Sequence, residues 1–259
     1  MNYLKLSLSI FFVFIFTNSV FCQLITHPDI DPILIQQNYI KWLDYNSENI
    51  LLSRNFIPLN EESQQIEKKT FLELLTTSAY IPLVMQATDD KLYYKLYKIQ
   101  PTADSSISAT ISQMAFEELT HLNMEGTVFP KFDSNDINGH HISNETFKDR
   151  FVIIKCWYIH CAACIREFPE VNDIVRKTTK RKDVFFLSLA EDTPEQLKMF
   201  LKKKPLLYEV VPNMKRYMNE TLQLNSFPTH FIINKKGVIV KVVSDVKSLK
   251  EALIENKLL

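Results

Sequence analysis

Cysteine is too rare in this chain to staple a fold. The 259 residues hold four, and three of them, Cys156, Cys161 and Cys164, crowd into the stretch "KCWYIHCAACIREFPE". A bridge between neighbours that close spans too short a loop to work as an entropic brace, so the cluster reads as chemistry. Net charge is also missing. Thirty basic residues balance thirty acidic ones, and no global field favours nucleic acid or an anionic membrane. Local runs such as Lys180-Arg181-Lys182 and Lys202-Lys203-Lys204 read as solvated helix ends. Glycine is reduced to Gly126, Gly139 and Gly237, with none before residue 126 and each where a turn is wanted. No repeat period stands out.

Long apolar runs are absent except at the start. Lys5 precedes a largely apolar stretch from Leu6 to Phe16, shorter than the ~20 residues a bilayer span needs. With "TNSVFCQ" following, residues 1–22 read as a signal peptide cleaved before Gln23, which places the mature chain outside the cytoplasm, in the periplasm. The alternative makes Cys22 a lipid-modified anchor; Phe21, where such signals carry a small residue, stands against it.

Residues 23–122 carry helical periodicity in "ILIQQNYIKWL", "EESQQIEKKTFLELLTT" and "SSISATISQMAFEELTHLN", the last with Ser105 or Ser106 as cap. "KLYYKLYKI" fits a strand or a helix. The region is expected to be mostly helical, and its role is not legible. From residue 123 the rhythm changes. "TVFPKFDSNDINGHHIS" predicts a hairpin turning at Asn138-Gly139 with both residues at positive φ. "RFVIIKCWYI" is a continuous apolar strand of the kind buried on both faces. A helix begins at the cysteines, "DVFFLSLAE" is a second strand, and "TPEQLKMFLKKK" a helix capped by Thr193. "LLYEVVP" is a third strand and "NMKRYMNETLQL" a helix; a hairpin through Lys236-Gly237 and an amphipathic helix close the chain. The alternation gives an α/β fold, a central sheet with helices on its faces.

Cys-x-x-Cys at a helix start has a specific use. Unsatisfied amides there favour a thiolate on the first sulfur, and the second lies one turn away, able to resolve a mixed disulfide. Cys161 is therefore the expected nucleophile and Cys164 the resolving thiol. Cys156, on the strand, reads as a small buried hydrophobe, or else as a third thiol reachable by rearrangement.

"CWYIHCAACIREFP" resembles the active-site strand and helix of the TlpA/ResA-like thiol–disulfide oxidoreductases of bacterial envelopes, which have a thioredoxin fold. Trp157 matches the tryptophan before the cysteines, Pro169 the helix-kinking proline, and Phe227-Pro228-Thr229 the cis-proline loop that faces the dithiol. The long interval from Cys164 to Pro228 fits the strand–helix insertion of that group, and "GTVFPKF" resembles the opening of these domains. The resemblance covers residues 123–259, about half the chain. It implies a thioredoxin-like domain, substrate positioning by Trp157, His160, Phe227, Pro228 and Thr229, and Glu167 either assisting proton transfer at Cys164 or pairing with a neighbour. It implies no cofactor beyond a redox-active Cys161–Cys164 disulfide. The implied partners are protein thiols and disulfides of the cell envelope and a membrane or envelope thiol reductant or oxidant, with no nucleic acid.

Two residues depart from the pattern. His160 stands where an aromatic residue is usual, and Ala162-Ala163 lacks the common proline. A protonated His160 would favour the Cys161 thiolate; otherwise it only covers the loop. The rival class is a copper or zinc carrier built on His160, Cys161 and Cys164 with His140-His141. Covalent haem is excluded in its usual form, because Ile165 occupies the place of the required histidine.

Overall fold

The computed structural model describes residues 25–259. The leader and Cys22 lie outside them. The N-terminal unit runs β1 (Ile25–Pro28), a 3-10 turn (Leu34–Gln37), α1 (Tyr39–Asn49), β2 (Ile57–Leu59), α2 (Lys68–Thr76), β3 (Tyr80–Ala87), β4 (Tyr93–Lys98) and α3 (Ser105–Met124). Helices α2 and α3 fall on the stretches of helical spacing, whereas "ILIQQNYIKWL" divides into the 3-10 turn and the start of α1, which runs on to Asn49. The expectation of a mostly helical region nevertheless needs correction, because the helices pack on a four-stranded sheet in the order β1-β3-β4-β2. "KLYYKLYKI" is strand β4. Strand β3 carries Pro82, normally an argument against a strand, but Pro82 lies beyond β1's last partner, Met85. There β3 has one neighbour only, the setting in which a strand tolerates proline. Trp42, Phe71, Leu75, Ile81, Leu83, Tyr94 and Ile107 are buried between helices and sheet. The cap of α3 is Asp104, whose carboxylate accepts the Ser106 amide at 2.9 Å, not Ser105 or Ser106.

The C-terminal unit opens with β5 (Asp133–Asn135) and β6 (His141–Ser143), then α4 (Asn144–Phe147), β7 (Phe151–Trp157), α5 (Ala162–Arg166), α6 (Phe168–Lys177), β8 (Val184–Ala190), α7 (Pro194–Leu201), β9 (Glu209–Val211), a π-helical turn (Tyr217–Thr221), β10 (Thr229–Ile233), β11 (Ile239–Val243) and α8 (Val246–Glu255). Its sheet order is β11-β10-β7-β8-β9, with β7, β8 and β9 parallel and β10 antiparallel to both neighbours. Strand β7 is central and buried on both faces. Ile153 and Trp157 point to the side holding Cys161 and Cys164, while Val152, Ile154 and Cys156 join Phe129, Phe132 and Phe147 on the other.

Three local expectations change. In the β5–β6 hairpin only Gly139 has positive φ; Asp136 organises the turn by accepting the Asn138 and His140 amides, each at 2.8 Å. The helix read from "NMKRYMNETLQL" is the short π-helical turn, whose Leu222 amide reaches back to the Tyr217 carbonyl at 3.0 Å. The helix after the cysteines is two helices, α5 and α6, parted at Glu167. Pro169 has no N–H for the bond to Ile165, so the break falls there.

The two units are joined on the β11 edge. Residues 126–129 run along β11 through Gly126, Phe129 and Ile239 backbone bonds of 2.8 Å, which covers an otherwise open strand. Arg54 pairs with Glu251 at 2.6 Å, and Ser53 Oγ bonds Ser248 Oγ at 2.9 Å. Asp245 caps α8 through the Ser248 amide at 2.8 Å and also accepts from Ser53 Oγ at 3.3 Å. Asp245→Ala should cost about 1–2 kcal/mol, the usual loss for a removed cap. A thermal melt should then shift down by roughly 3–6 °C, with Asp245→Asn recovering most of it.

Candidate active site

Strand β7 delivers the chain to a tight turn at Tyr158, Ile159 and His160. Asp192, just past β8, fixes that turn by accepting the Ile159 amide at 2.8 Å. The Cys161 amide closes it onto the Tyr158 carbonyl at 3.1 Å. Cys161 is the N-cap of α5, and its Sγ accepts the Cys164 amide at 3.1 Å. The two sulfurs form a disulfide with Cα atoms 5.3 Å apart. Cys161 keeps a sliver of exposure, 5%, and Cys164 has none. The first sulfur is thus the one an incoming thiolate can meet, and the amide aimed at it stabilises negative charge there when the bond opens.

The second wall comes from the other end of the sequence. The Phe227–Pro228 peptide is cis, and the Phe227 carbonyl oxygen lies 3.7 Å from Cys161 Sγ. The Phe227 ring meets Tyr158 edge-on at 5.7 Å, a contact the sequence reading did not include. Trp157 and Thr229, expected at the substrate surface, are wholly buried. Trp157 supports the turn from beneath, edge-on to Phe168 at 5.0 Å, and Thr229 Oγ1 donates within its own loop to the Ser226 carbonyl at 2.9 Å. His160 is exposed beside the disulfide.

Beneath the cysteines lies a buried ionic centre. Glu167 Oε2 accepts from Lys155 Nζ at 2.5 Å and lies 3.0 Å from His230 Nε2, while Oε1 accepts the Val246 amide at 2.8 Å. Burial alone would raise the Glu167 pKa, but His230 and Lys155 outweigh it and bring the group down to about 2. Burial, reinforced by the Lys155 charge, lowers His230, and Glu167 only partly opposes that, so His230 stays neutral. Burial also lowers Lys155, against the pull of Glu167. Lys155 and His230 face each other in the β7–β10 register. The centre therefore ties β7, β10, α8 and the α5–α6 junction into one block. Of these three side chains, only Glu167 is singled out by the sequence. The available signal was a lysine inside an otherwise apolar strand.

Cys156 faces away from the disulfide, and burial pushes its thiol well above the ordinary value. His140 and His141 stay on their hairpin, each 3.0 Å from an aspartate, Asp136 and Asp133. The structure does not bring them to the cysteines. Among the described residues no group of three His, Cys, Asp or Glu side chains is placed to hold a metal ion.

Residues 126–242 match the AhpC/TSA family. Thiol-disulfide oxidoreductase ResA of Bacillus cereus (strain ATCC 10987 / NRS 248) is 31% identical over 133 residues, spanning 50% of this chain and 75% of the relative. ResA of Bacillus subtilis is 26% identical over 133 residues, 51% of this chain and 73% of its own. Among solved structures, the thioredoxin domain of a thiol-disulfide oxidoreductase from Bacteroides vulgatus aligns with a TM-score of 0.47 at 19% identity, over 52% of this chain and 98% of that one. The mixed sheet, the cis-proline loop and the extent of the ResA likeness lead to one conclusion: the chain belongs to the ResA-like thiol–disulfide oxidoreductases of the AhpC/TSA family.

Proposed function

We propose that the chain acts outside the cytoplasm on protein thiols and disulfides, through Cys161 and Cys164. The observation that carries this reading is the Cys164 amide held 3.1 Å from a marginally exposed Cys161 Sγ, with Cys164 sealed behind it. In the reducing direction the Cys161 thiolate attacks a substrate disulfide, forming a mixed disulfide and releasing one substrate thiolate. That thiolate or solvent takes the Cys164 proton. Cys164 then attacks Cys161 Sγ, the second substrate thiolate leaves, and the internal disulfide is restored. An envelope dithiol partner reduces it for the next cycle. Run backwards, the same steps oxidise substrate thiols.

His160, Phe227 and Pro228 rim the reactive sulfur and are assigned to hold the incoming chain. Trp157 and Thr229 act from below, as positioning residues. A carboxylate at about 2 with three donors is a weak base, so Glu167 is assigned to hold the helix in place and not to carry the thiol proton. The leader at Leu6–Phe16 supports export. The form proposed is release into the periplasm by cleavage before Gln23. No helix of the described residues is long and apolar enough to cross a membrane.

The direct test is insulin reduction by the mature chain with dithiothreitol as electron source, alongside metal analysis after anaerobic purification. Catalysed reduction without metal is expected. Stoichiometric copper or zinc with no exchange activity would replace this reading by that of a metal carrier.

A further inference from the structure

A cavity lies between the turn that leads into Cys161 and helix α7. Its volume is about 540 Å³, and its walls include Ile159 and His160, the two residues before Cys161, with Met199 and Phe200 of α7 opposite. Met199 is 65% exposed and adds apolar surface to the wall next to the turn before Cys161. Lys202 and Lys203 close one end. Lys202 and Lys203, from a run that the sequence alone assigns to a solvated helix end, therefore share a cavity wall with the two residues that precede the reactive cysteine.

Charge decides what the hollow suits. Lys198, Lys202, Lys203 and Lys204 form no ion pair among the described residues. Lys177 and Lys250 by contrast are paired, with Asp173 at 2.9 Å and Glu170 at 2.5 Å. The carboxylate that lines the cavity, Asp192, is directed at the Ile159 amide. Cations after the last turn of α7 do favour its negative end, but that role requires neither an apolar hollow nor an exposed methionine.

We infer that this cavity docks the substrate segment flanking the reactive cysteine, and that the segment is acidic, with an apolar side chain that seats against Met199 and Phe200. The inference rests on the exchange reaction proposed above and narrows its substrates to polypeptides with carboxylates beside the cysteine. Chemistry at Cys161 is unaltered; the lysines act on encounter and orientation, where rim charges have their main effect.

The test uses the mature chain and three disulfides: a disulfide-linked peptide with Asp and Glu around its cysteine, the same peptide with Lys at those positions, and uncharged bis(2-hydroxyethyl) disulfide. At low salt the kcat/KM ratio of acidic to basic peptide should be tenfold or more. It should shrink toward one in ~0.5 M salt, where screening lengths fall to a few ångströms. In the Lys202→Glu/Lys203→Glu double variant it should invert. Met199→Ser should lower kcat/KM for the acidic peptide several-fold without changing the salt dependence. A wild-type ratio near one at low salt, or a ratio the double variant leaves untouched, would overturn the inference while the exchange reading stands. Failure to turn over all three disulfides would remove the exchange reading, and this one with it.

Discussion

Cys161→Ser should abolish disulfide exchange, with turnover of insulin falling on the order of 10³-fold or more, the scale on which loss of a nucleophile acts. Cys164→Ser should behave differently. It leaves the attacking sulfur in place and removes the group that resolves the mixed disulfide, so substrate polypeptides should accumulate covalently on Cys161 and be released by dithiothreitol. The asymmetry follows from exposure, since Cys161 reaches the surface and Cys164 does not. It is read as a mass shift on non-reducing gels. Equal trapping by the two variants, or full activity in either, would contradict the assignment. Cys156→Ala should leave exchange within about twofold of wild type, because its thiol lies on the opposite face of β7 and is buried in protonated form.

Lys155→Met should destabilise the protein by about 3–5 kcal/mol, the cost of stranding a buried partner charge. Lys155 is wholly buried, and its ammonium is one of three donors to the Glu167 carboxylate. Removing it leaves that carboxylate with His230 and the Val246 amide alone. At pH 7 the melting temperature should fall by roughly 10 °C. Adding Glu167→Gln to Lys155→Met should return part of the loss, since no uncompensated charge then remains. A single variant as stable as wild type would remove the ionic centre from the account of the fold.

The pH dependence has a definite sign. Glu167 sits below its ordinary 4.5, at about 2, so its contribution is complete above pH 4.5 and is lost as pH falls toward 2. His230 is also depressed from 6.5. The unfolded chain takes up that proton first, and stability declines on acidification from about pH 6.5 downward. Urea titrations at pH 7, 5, 4 and 3 should show wild type losing stability steadily. In Lys155→Met the Glu167 pKa moves up toward its ordinary value, and the segment of the decline below pH 4.5 should flatten.

Much of the C-terminal unit is legible without coordinates because its signals are local. Phe151–Trp157 is apolar on both faces, Thr193-Pro194 carries a cap and a first-turn proline, and Gly237 marks a turn that needs positive φ. The N-terminal sheet is not legible in that way. Strand β3 contains a proline whose tolerance depends on how far β1 extends, and β2 has three residues that pair in parallel with β4. Neither fact is a property of the segment itself. The π-helical turn at Tyr217–Thr221 is similar: helix-forming residues bend to bury Met218 and Leu222 under the sheet.

The site divides along the same line. Spacing alone pointed to the pair proposed for exchange, because two cysteines three residues apart at a helix start lie within bonding reach. The proline loop was legible through resemblance, from the order of Trp157, Pro169 and Pro228. Only the tertiary structure decided that Trp157 and Thr229 are buried, that Lys155 and His230 grip Glu167, and that Lys202 and Lys203 share a cavity wall with Ile159 and His160. Each depends on strands and helices far apart in the chain coming together. Burial and charge pairing are properties of that assembly, and a linear sequence carries them only as a lysine out of place in an apolar strand.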